Sequence, residues 1–114
     1  MKTLAIVLFG GFLLSCATDS GGGDNPPTAP TNLGVERLGS GGHLTWTDNA
    51  DNEEEFMIMR KDGTAAYVEL VRVPFDSTAY HDEPLTTGTT YTYMVMSMNA
   101  AGQAESNEVM YTHQ

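Results

Sequence analysis

The sequence has a single cysteine, Cys16, so no disulfide can form within the chain. Only five lysines and arginines stand against fifteen aspartates and glutamates, which gives a formal net charge of -10 at pH 7. Because such a surface repels phosphate backbones and anionic lipid headgroups, we expect no nucleic-acid partner. A glycine-rich phosphate loop and the Gly-x-Ser-x-Gly motif of serine hydrolases are also absent.

The histidine spacing of a zinc site is missing as well. His43, His81 and His113 fall on separate predicted strands or in the C-terminal tail, without the close histidine spacing of a zinc site. A chain of 114 residues also has little room for a deep pocket beside its core. We therefore expect a protein that is not an enzyme and that has no cofactor.

The first residues have the three parts of a secretory signal, namely the basic Lys2, an apolar run over residues 4–14, and the small Ser15 before Cys16. The apolar run is shorter than the roughly twenty residues that a membrane-spanning helix needs. It therefore predicts a segment that is removed during export.

The motif Leu13-Leu14-Ser15-Cys16 resembles the lipobox of bacterial lipoproteins. The resemblance implies a signal peptide over residues 1–15 and acylation of Cys16, which would anchor the mature chain in the bacterial cell envelope. Ala17 after the cysteine favours the outer membrane by the sorting rule of enteric bacteria. The alternative is an ordinary secretory signal that contains an incidental cysteine.

Residues 17–29 are rich in glycine, proline and polar residues and show no apolar periodicity. This composition predicts a flexible linker, so the lipidated cysteine and the linker together occupy residues 16–29. A linker of this length reaches about 20 Å on average, enough to hold a domain clear of the headgroups. Residues 30–114 then form one domain.

After Pro30 the sequence alternates between apolar and polar residues in short segments that are separated by turn residues, such as Asp62-Gly63. Seven strands and no helix are predicted, which favours an all-β antiparallel sandwich. Every second side chain is expected in the core between the sheets: Leu33, Leu44, Trp46, Phe56, Ile58, Leu85, Tyr91, Tyr93, Val95 and Val109.

Several motifs in this region, over about residues 27–114, resemble those of fibronectin type III domains. They are Pro27-Thr28-Ala29-Pro30-Thr31-Asn32-Leu33, Leu44-Thr45-Trp46, Leu85 with Thr90-Tyr91-Thr92-Tyr93-Met94-Val95, and Asn99-Ala100-Ala101-Gly102 followed by Ser106-Asn107. The resemblance implies an immunoglobulin-like seven-stranded sandwich and a tyrosine corner, in which Tyr91 bonds to the backbone near Leu85. It also implies a non-catalytic module that binds a protein or glycan or acts as a spacer.

Methionine is unusually frequent on the predicted strands. Six methionines alternate with core positions, so they are expected to form one stripe on the open face of one sheet: Met57, Met59, Met94, Met96, Met98 and Met110. They are tolerated surface residues, a binding face for a partner or a second copy, or a Cu(I) site. The last interpretation makes a periplasmic Cu(I)-handling lipoprotein the alternative function.

The acidic stretch over residues 48–55 contains five carboxylates between two predicted strands. Clustered carboxylate and amide oxygens are ligands of Ca²⁺, but the stretch lacks the glycine and the fixed ligand spacing of an EF-hand. A solvated loop is therefore the simpler interpretation, and a calcium site is the alternative.

Overall fold

The computed structural model describes residues 25–114. The predicted signal peptide, Cys16 and the first part of the predicted linker lie outside this range. Within it no helix is long and apolar enough to cross a membrane. The described residues form eight strands: β1 Thr31–Leu38, β2 Gly41–Thr47, β3 Glu55–Asp62, β4 Val68–Pro74, β5 Ala79–Asp82, β6 Thr90–Asn99, β7 Gly102–Glu105 and β8 Val109–Thr112.

The strands pair into two sheets. A three-stranded sheet has the order β1-β2-β5, and a five-stranded sheet has the order β4-β3-β6-β7, with β8 also paired to β6. Every strand pair is antiparallel. The predicted all-β antiparallel sandwich is therefore confirmed.

The strand count differs from the predicted seven because the last strand is split into β7 and β8. Between them, the Ser106 backbone N–H donates to the Val95 carbonyl over 2.8 Å, and the Val95 N–H donates to the Ser106 Oγ over 3.0 Å. The Asn107 side chain instead turns to β1, where its Oδ1 accepts from the Leu33 N–H over 3.1 Å. Asn107 thus interrupts one strand and links the two sheets.

Most of the side chains predicted to point inward form one buried cluster. It contains Leu33, Leu44, Trp46, Phe56, Ile58, Leu85, Tyr91, Tyr93 and Val95. Val109 is half-buried and packs against the cluster. The Trp46 and Phe56 rings, one from each sheet, lie 5.7 Å apart between their centroids, so large aromatic groups fill the space between the sheets.

Polar contacts of Tyr91 and Arg60 support this core. The Thr86 backbone N–H donates to the Tyr91 hydroxyl over 2.8 Å, which is the tyrosine corner expected beside Leu85. The Arg60 Nη1 donates to the buried Asp82 Oδ2 over 2.9 Å, and its Nε donates to Asp62 over 2.7 Å. The buried Asp82 carboxylate is thus paired with the Arg60 guanidinium, because an unpaired charge in the core would be strongly destabilising.

Residues 25–29, which the composition assigns to the linker, lie against the sandwich. The Asn25 carbonyl accepts from the side-chain amides of Asn52 (3.0 Å) and Asn99 (2.9 Å). The Ser97 Oγ donates to the Thr28 carbonyl over 2.9 Å. These contacts hold the segment in place because two side-chain amides and one hydroxyl, from the β2–β3 loop and from β6, donate to its backbone carbonyls.

Candidate functional site

Neighbouring strands bring five of the six methionines together. In the β3–β6 pair Met57 lies opposite Met96, Met59 lies opposite Met94, and Glu55 lies opposite Met98. Their strand neighbours Phe56, Ile58, Tyr93 and Val95 point into the core. Because side chains alternate along a strand, the thioethers lie on the outer face of the five-stranded sheet. We call Met57, Met59, Met94, Met96 and Met98 the methionine cluster.

The expected exposure of this face is wrong for three of its residues. Met57, Met94 and Met96 are only 8%, 9% and 5% exposed, and Met59 and Met98 are half-buried beside them. The physical reason is mutual cover, since long thioethers that face each other across two strands shield one another from water. The cluster is therefore a second, smaller apolar core and not an open stripe.

Tyr67 packs against the cluster. Its hydroxyl donates a short hydrogen bond to the Glu108 carboxylate. Tyr67 precedes β4 and Glu108 precedes β8, so this bond joins opposite edges of the sheet across β3 and β6. Burial of the phenol, together with the hydrogen bond to Glu108 and its charge, raises the pKa of Tyr67. The Lys61 Nζ lies 4.8 Å from the centroid of the Tyr67 ring.

Polar groups surround the apolar centre. Arg72, opposite Met57 on β4, binds Glu55 over 2.7 Å and Glu69 over 3.2 Å. On the other side, the Gln103 Nε2 lies 3.4 Å from the Met96 sulfur. These polar groups border the covered thioethers on the outer face of the sheet.

Met110 stands apart from the methionine cluster. It lies on β8 opposite Thr92, and it is 71% exposed. The predicted stripe of six methionines is therefore divided into a covered group of five and one solvent-exposed residue. The alternation along the strands could be predicted from the sequence, but the neighbours that cover each side chain could not.

The acidic loop contributes to a three-carboxylate group. Asp48 and Glu53 from the predicted stretch meet Asp76 from the β4–β5 turn, with one oxygen of each within 4.8 Å of the others. Glu53 is buried and accepts from the Asp76 backbone N–H over 3.0 Å, while Asp48 accepts from the Ala50 N–H over 3.0 Å. The calcium site therefore stays a prediction, and Asp76 is a member that the sequence stretch did not contain.

The pKa values of two of these carboxyls shift in opposite directions. Burial raises the pKa of Asp48, and the negative charges of Glu53 and Asp76 act in the same direction. Burial opposes ionisation of Glu53 too, but hydrogen bonds from the Asp76 and Glu53 backbone lower the pKa of Glu53 below its usual value. The two groups thus compete for one proton.

Two of the three histidines lie on separate strands, as the sequence predicts, but the sheet brings them together as a pair that the sequence did not predict. His43 on β2 lies directly opposite His81 on β5, and their ring centroids are 6.0 Å apart. His113 lies near the C-terminus, where its Nδ1 is 3.0 Å from the Tyr111 hydroxyl. Their separation in sequence hid the pair because only the strand register brings the two rings together.

No protein-family model matches this chain. No curated protein is similar to it in sequence either. Solved structures are similar in fold. The fibronectin type III domain of human collagen XX superposes with a TM-score of 0.64 at 22% identity, over 83% of this chain and 99% of the other.

Two further structures give the same result. A Fn3-like protein from Clostridium thermocellum has a TM-score of 0.63 at 24% identity, over 79% of this chain and 96% of the other. The FN1–FN3 domains of chicken CNTN1 have a TM-score of 0.67 at 24% identity over 80% of this chain. This chain spans about a third (33%) of that three-domain structure. The two-sheet architecture and these similarities show that residues 25–114 have an immunoglobulin-like sandwich fold of the fibronectin type III kind.

Proposed function

We propose that this protein is a non-catalytic lipoprotein of the bacterial cell envelope that displays one fibronectin type III-like domain. The domain binds a protein or glycan, or it acts as a spacer. The observation that carries the proposal is the filled interior, where nine apolar side chains from both sheets occupy the space between them. Such an interior leaves no space for a substrate between the sheets of residues 25–114, so function belongs to the outer surfaces. Outer sheet faces and loops suit the binding of a partner better than catalysis.

The anchor in this proposal is Cys16, and its support is the lipobox-like sequence before it. Acylation at this position would place the eight residues 17–24 between the lipidated cysteine and the segment that lies against the sandwich, which begins at Asn25. The excess of acidic residues, which gives the full sequence a formal net charge of -10, would keep the domain away from anionic headgroups.

Metabolic labelling with a palmitate analogue tests the anchor. The full chain, expressed in a bacterium, is expected to take up the label and to fractionate with membranes. The Cys16→Ser variant is expected to lose both properties, while a Ser15→Ala variant, which keeps a small residue before the cysteine, retains them. Equal labelling of the wild type and Cys16→Ser would contradict lipidation at this cysteine.

A second candidate function is Cu(I) handling by the methionine cluster. One observation favours it: Met57 faces Met96 and Met59 faces Met94 directly across the strand pair. Directly opposite side chains have Cβ atoms about 4.5–5.5 Å apart, so two sulfurs of one pair can reach the same ion. Thioethers are soft ligands that suit Cu(I).

Competition between the protein and a chromogenic Cu(I) chelator tests this candidate. The Cys16→Ser chain serves as the background because the cysteine thiolate would itself bind Cu(I). Withdrawal of Cu(I) from the chelator should disappear when leucine replaces all four members of the two pairs, Met57, Met96, Met59 and Met94. It should persist in Met110→Leu, which changes an exposed methionine outside the cluster. If the background chain withdraws no copper, the copper function is ruled out.

A further inference from the structure

The outer face of the three-stranded sheet carries a row of metal-ligating residues. The strand register places Glu36 on β1 opposite His43 on β2, and His43 opposite His81 on β5. In the neighbouring position of the same pairs Leu44 is fully buried in the core. Because strand residues alternate between faces, Glu36, His43 and His81 lie side by side on the face that points away from the core.

We propose that His43 and His81, with Glu36 and Glu83 beside them, form a binding site for a divalent transition-metal ion of the Zn²⁺ type. The two imidazoles are the principal ligands, and the exposed Glu36 side chain on the neighbouring strand can rotate towards the ion to supply a third. Glu83 orients the His81 ring. This site is separate from the methionine cluster, which belongs to the other sheet.

The distance between the rings fits one shared ion. Two imidazole nitrogens bound to one Zn²⁺ at about 2.0–2.1 Å place their ring centroids about 5 Å apart. The His43 and His81 centroids are 6.0 Å apart, with 41° between the ring planes. A movement of about 1 Å, which small side-chain rotations supply, therefore brings both rings into ligating position.

The hydrogen bonding of the His81 ring prepares one nitrogen for the metal. The His81 Nε2 lies 2.6 Å from the Glu83 Oε1, and the His81 Nδ1 is buried without a hydrogen-bond partner. A ligating histidine commonly gives its other ring N–H to a carboxylate, which fixes the tautomer and makes the free nitrogen a better ligand. His81 and Glu83 have this arrangement, with Nδ1 as the free nitrogen.

His43 offers a nitrogen of the same kind. Its Nδ1 is also buried and has no hydrogen-bond partner. Within residues 25–114 the third buried side-chain polar atom without a partner is the Trp46 Nε1, which is only a donor and cannot bind a cation. The two buried, unpartnered atoms that could act as metal ligands are therefore the Nδ1 atoms of His43 and His81. A shared ion would give both of them a partner.

The surroundings favour a cation. The next row of the same face consists of the small residues Gly34, Thr45 and Ala79, which leave space beside the rings. Glu36 and Glu83 are both exposed and supply negative charge next to the imidazoles. Imidazole and carboxylate ligands together suit Zn²⁺, Ni²⁺ and Cu²⁺, and three protein ligands with one open position form a common type of zinc site.

Histidine-detected NMR of the full chain in detergent tests the site with Zn²⁺ as the probe. With ¹⁵N-labelled histidine, saturating Zn²⁺ should shift the Nδ1 resonances of His43 and His81 and leave those of His113 in place. In a parallel titration with a fluorescent zinc indicator, His43→Gln and His81→Gln should each weaken Zn²⁺ binding at least about tenfold. His113→Gln should bind as the wild type does.

Two further variants distinguish the carboxylate of this site from acidic groups elsewhere on the domain. Glu36→Gln changes an exposed carboxylate, so it should fold normally and still weaken Zn²⁺ binding. Asp48→Asn alters the three-carboxylate group and should leave Zn²⁺ binding unchanged. Circular dichroism establishes that each variant is folded. Unshifted resonances of His43 and His81 at saturating Zn²⁺, or unchanged affinity in folded His43→Gln, would overturn the proposal.

Discussion

The Tyr93 hydroxyl donates a hydrogen bond of 2.7 Å to the Asp82 Oδ2, and this bond crosses from the five-stranded to the three-stranded sheet. Both residues are buried, with 0% exposure for Tyr93 and 5% for Asp82. The same carboxylate oxygen accepts from the Arg60 Nη1 over 2.9 Å. Asp82 therefore holds two strands of the opposite sheet through one oxygen atom.

Removal of this hydroxyl should destabilise the domain. In Tyr93→Phe the ring is kept, but Asp82 loses one of its two partners in the core. Since hydrogen bonds to charged groups contribute about 1.5–3 kcal/mol, we expect the free energy of unfolding to fall by about 2 kcal/mol. Urea denaturation measures the change. The half-buried Tyr80→Phe on β5 serves as the control, with an expected loss below about 0.5 kcal/mol.

The same tyrosine should make stability sensitive to alkaline pH. Burial, the hydrogen bond to Asp82 and the charge of Asp82 raise the pKa of Tyr93. A raised pKa means that the folded state prefers the protonated phenol, so its contribution is complete below the unfolded pKa of about 10 and is lost as pH rises above it. Denaturation midpoints between about pH 8 and pH 11 should fall more steeply in the wild type than in Tyr93→Phe. Parallel curves would contradict this origin of the pH dependence.

Neutralising Asp48 should stabilise the domain at neutral pH. Burial and the charges of Glu53 and Asp76 raise the pKa of Asp48, so the folded state prefers the protonated carboxyl. The contribution of Asp48 to stability is therefore complete below its unfolded pKa and is lost as pH rises towards neutral. Asp48→Asn keeps an oxygen for the Ala50 N–H and removes the charge. We expect the melting temperature at pH 7 to rise by about 2–4 °C, as about half a kcal/mol produces in a domain of this size.

The control for this experiment lies in the same loop. Asp51 is exposed, so Asp51→Asn should change the melting temperature little at pH 7. At about pH 3 the Asp48 carboxyl is protonated in both states, and the advantage of Asp48→Asn should vanish. A gain at pH 7 that persists unchanged at low pH would mean that charge is not its cause.

The sequence predicted those features that depend on the period of a strand. Alternation placed Phe56, Ile58 and Tyr93 on one face and Met57 and Met94 on the other, and the structure has this arrangement. Exposure depends on the neighbouring strands, so the sequence alone could not show that Met94 is covered. Contacts between distant segments were hidden for the same reason, because they depend on strand register.

Two cases illustrate this limit. His43 and His81 meet only because β2 pairs with β5 in one particular register. Asn107 splits the last strand because its side-chain amide bonds to the backbone N–H and carbonyl of Leu33, a residue of the other sheet. In both cases the signal lies in the pairing of elements, and local patterns of residue type do not contain it.

The cover over the methionine cluster can be tested by oxidation. Dilute hydrogen peroxide followed by peptide mass spectrometry measures the oxidation rate of each methionine, and exposed thioethers react first. We expect Met110, at 71% exposure, to be oxidised well before Met94 and Met96. Because Tyr67 packs against the cluster and bonds to Glu108 beyond it, Tyr67→Ala should raise the rates of the covered residues severalfold and leave that of Met110 unchanged. Equal rates for Met94 and Met110 in the wild type would show that the cluster is open to solvent.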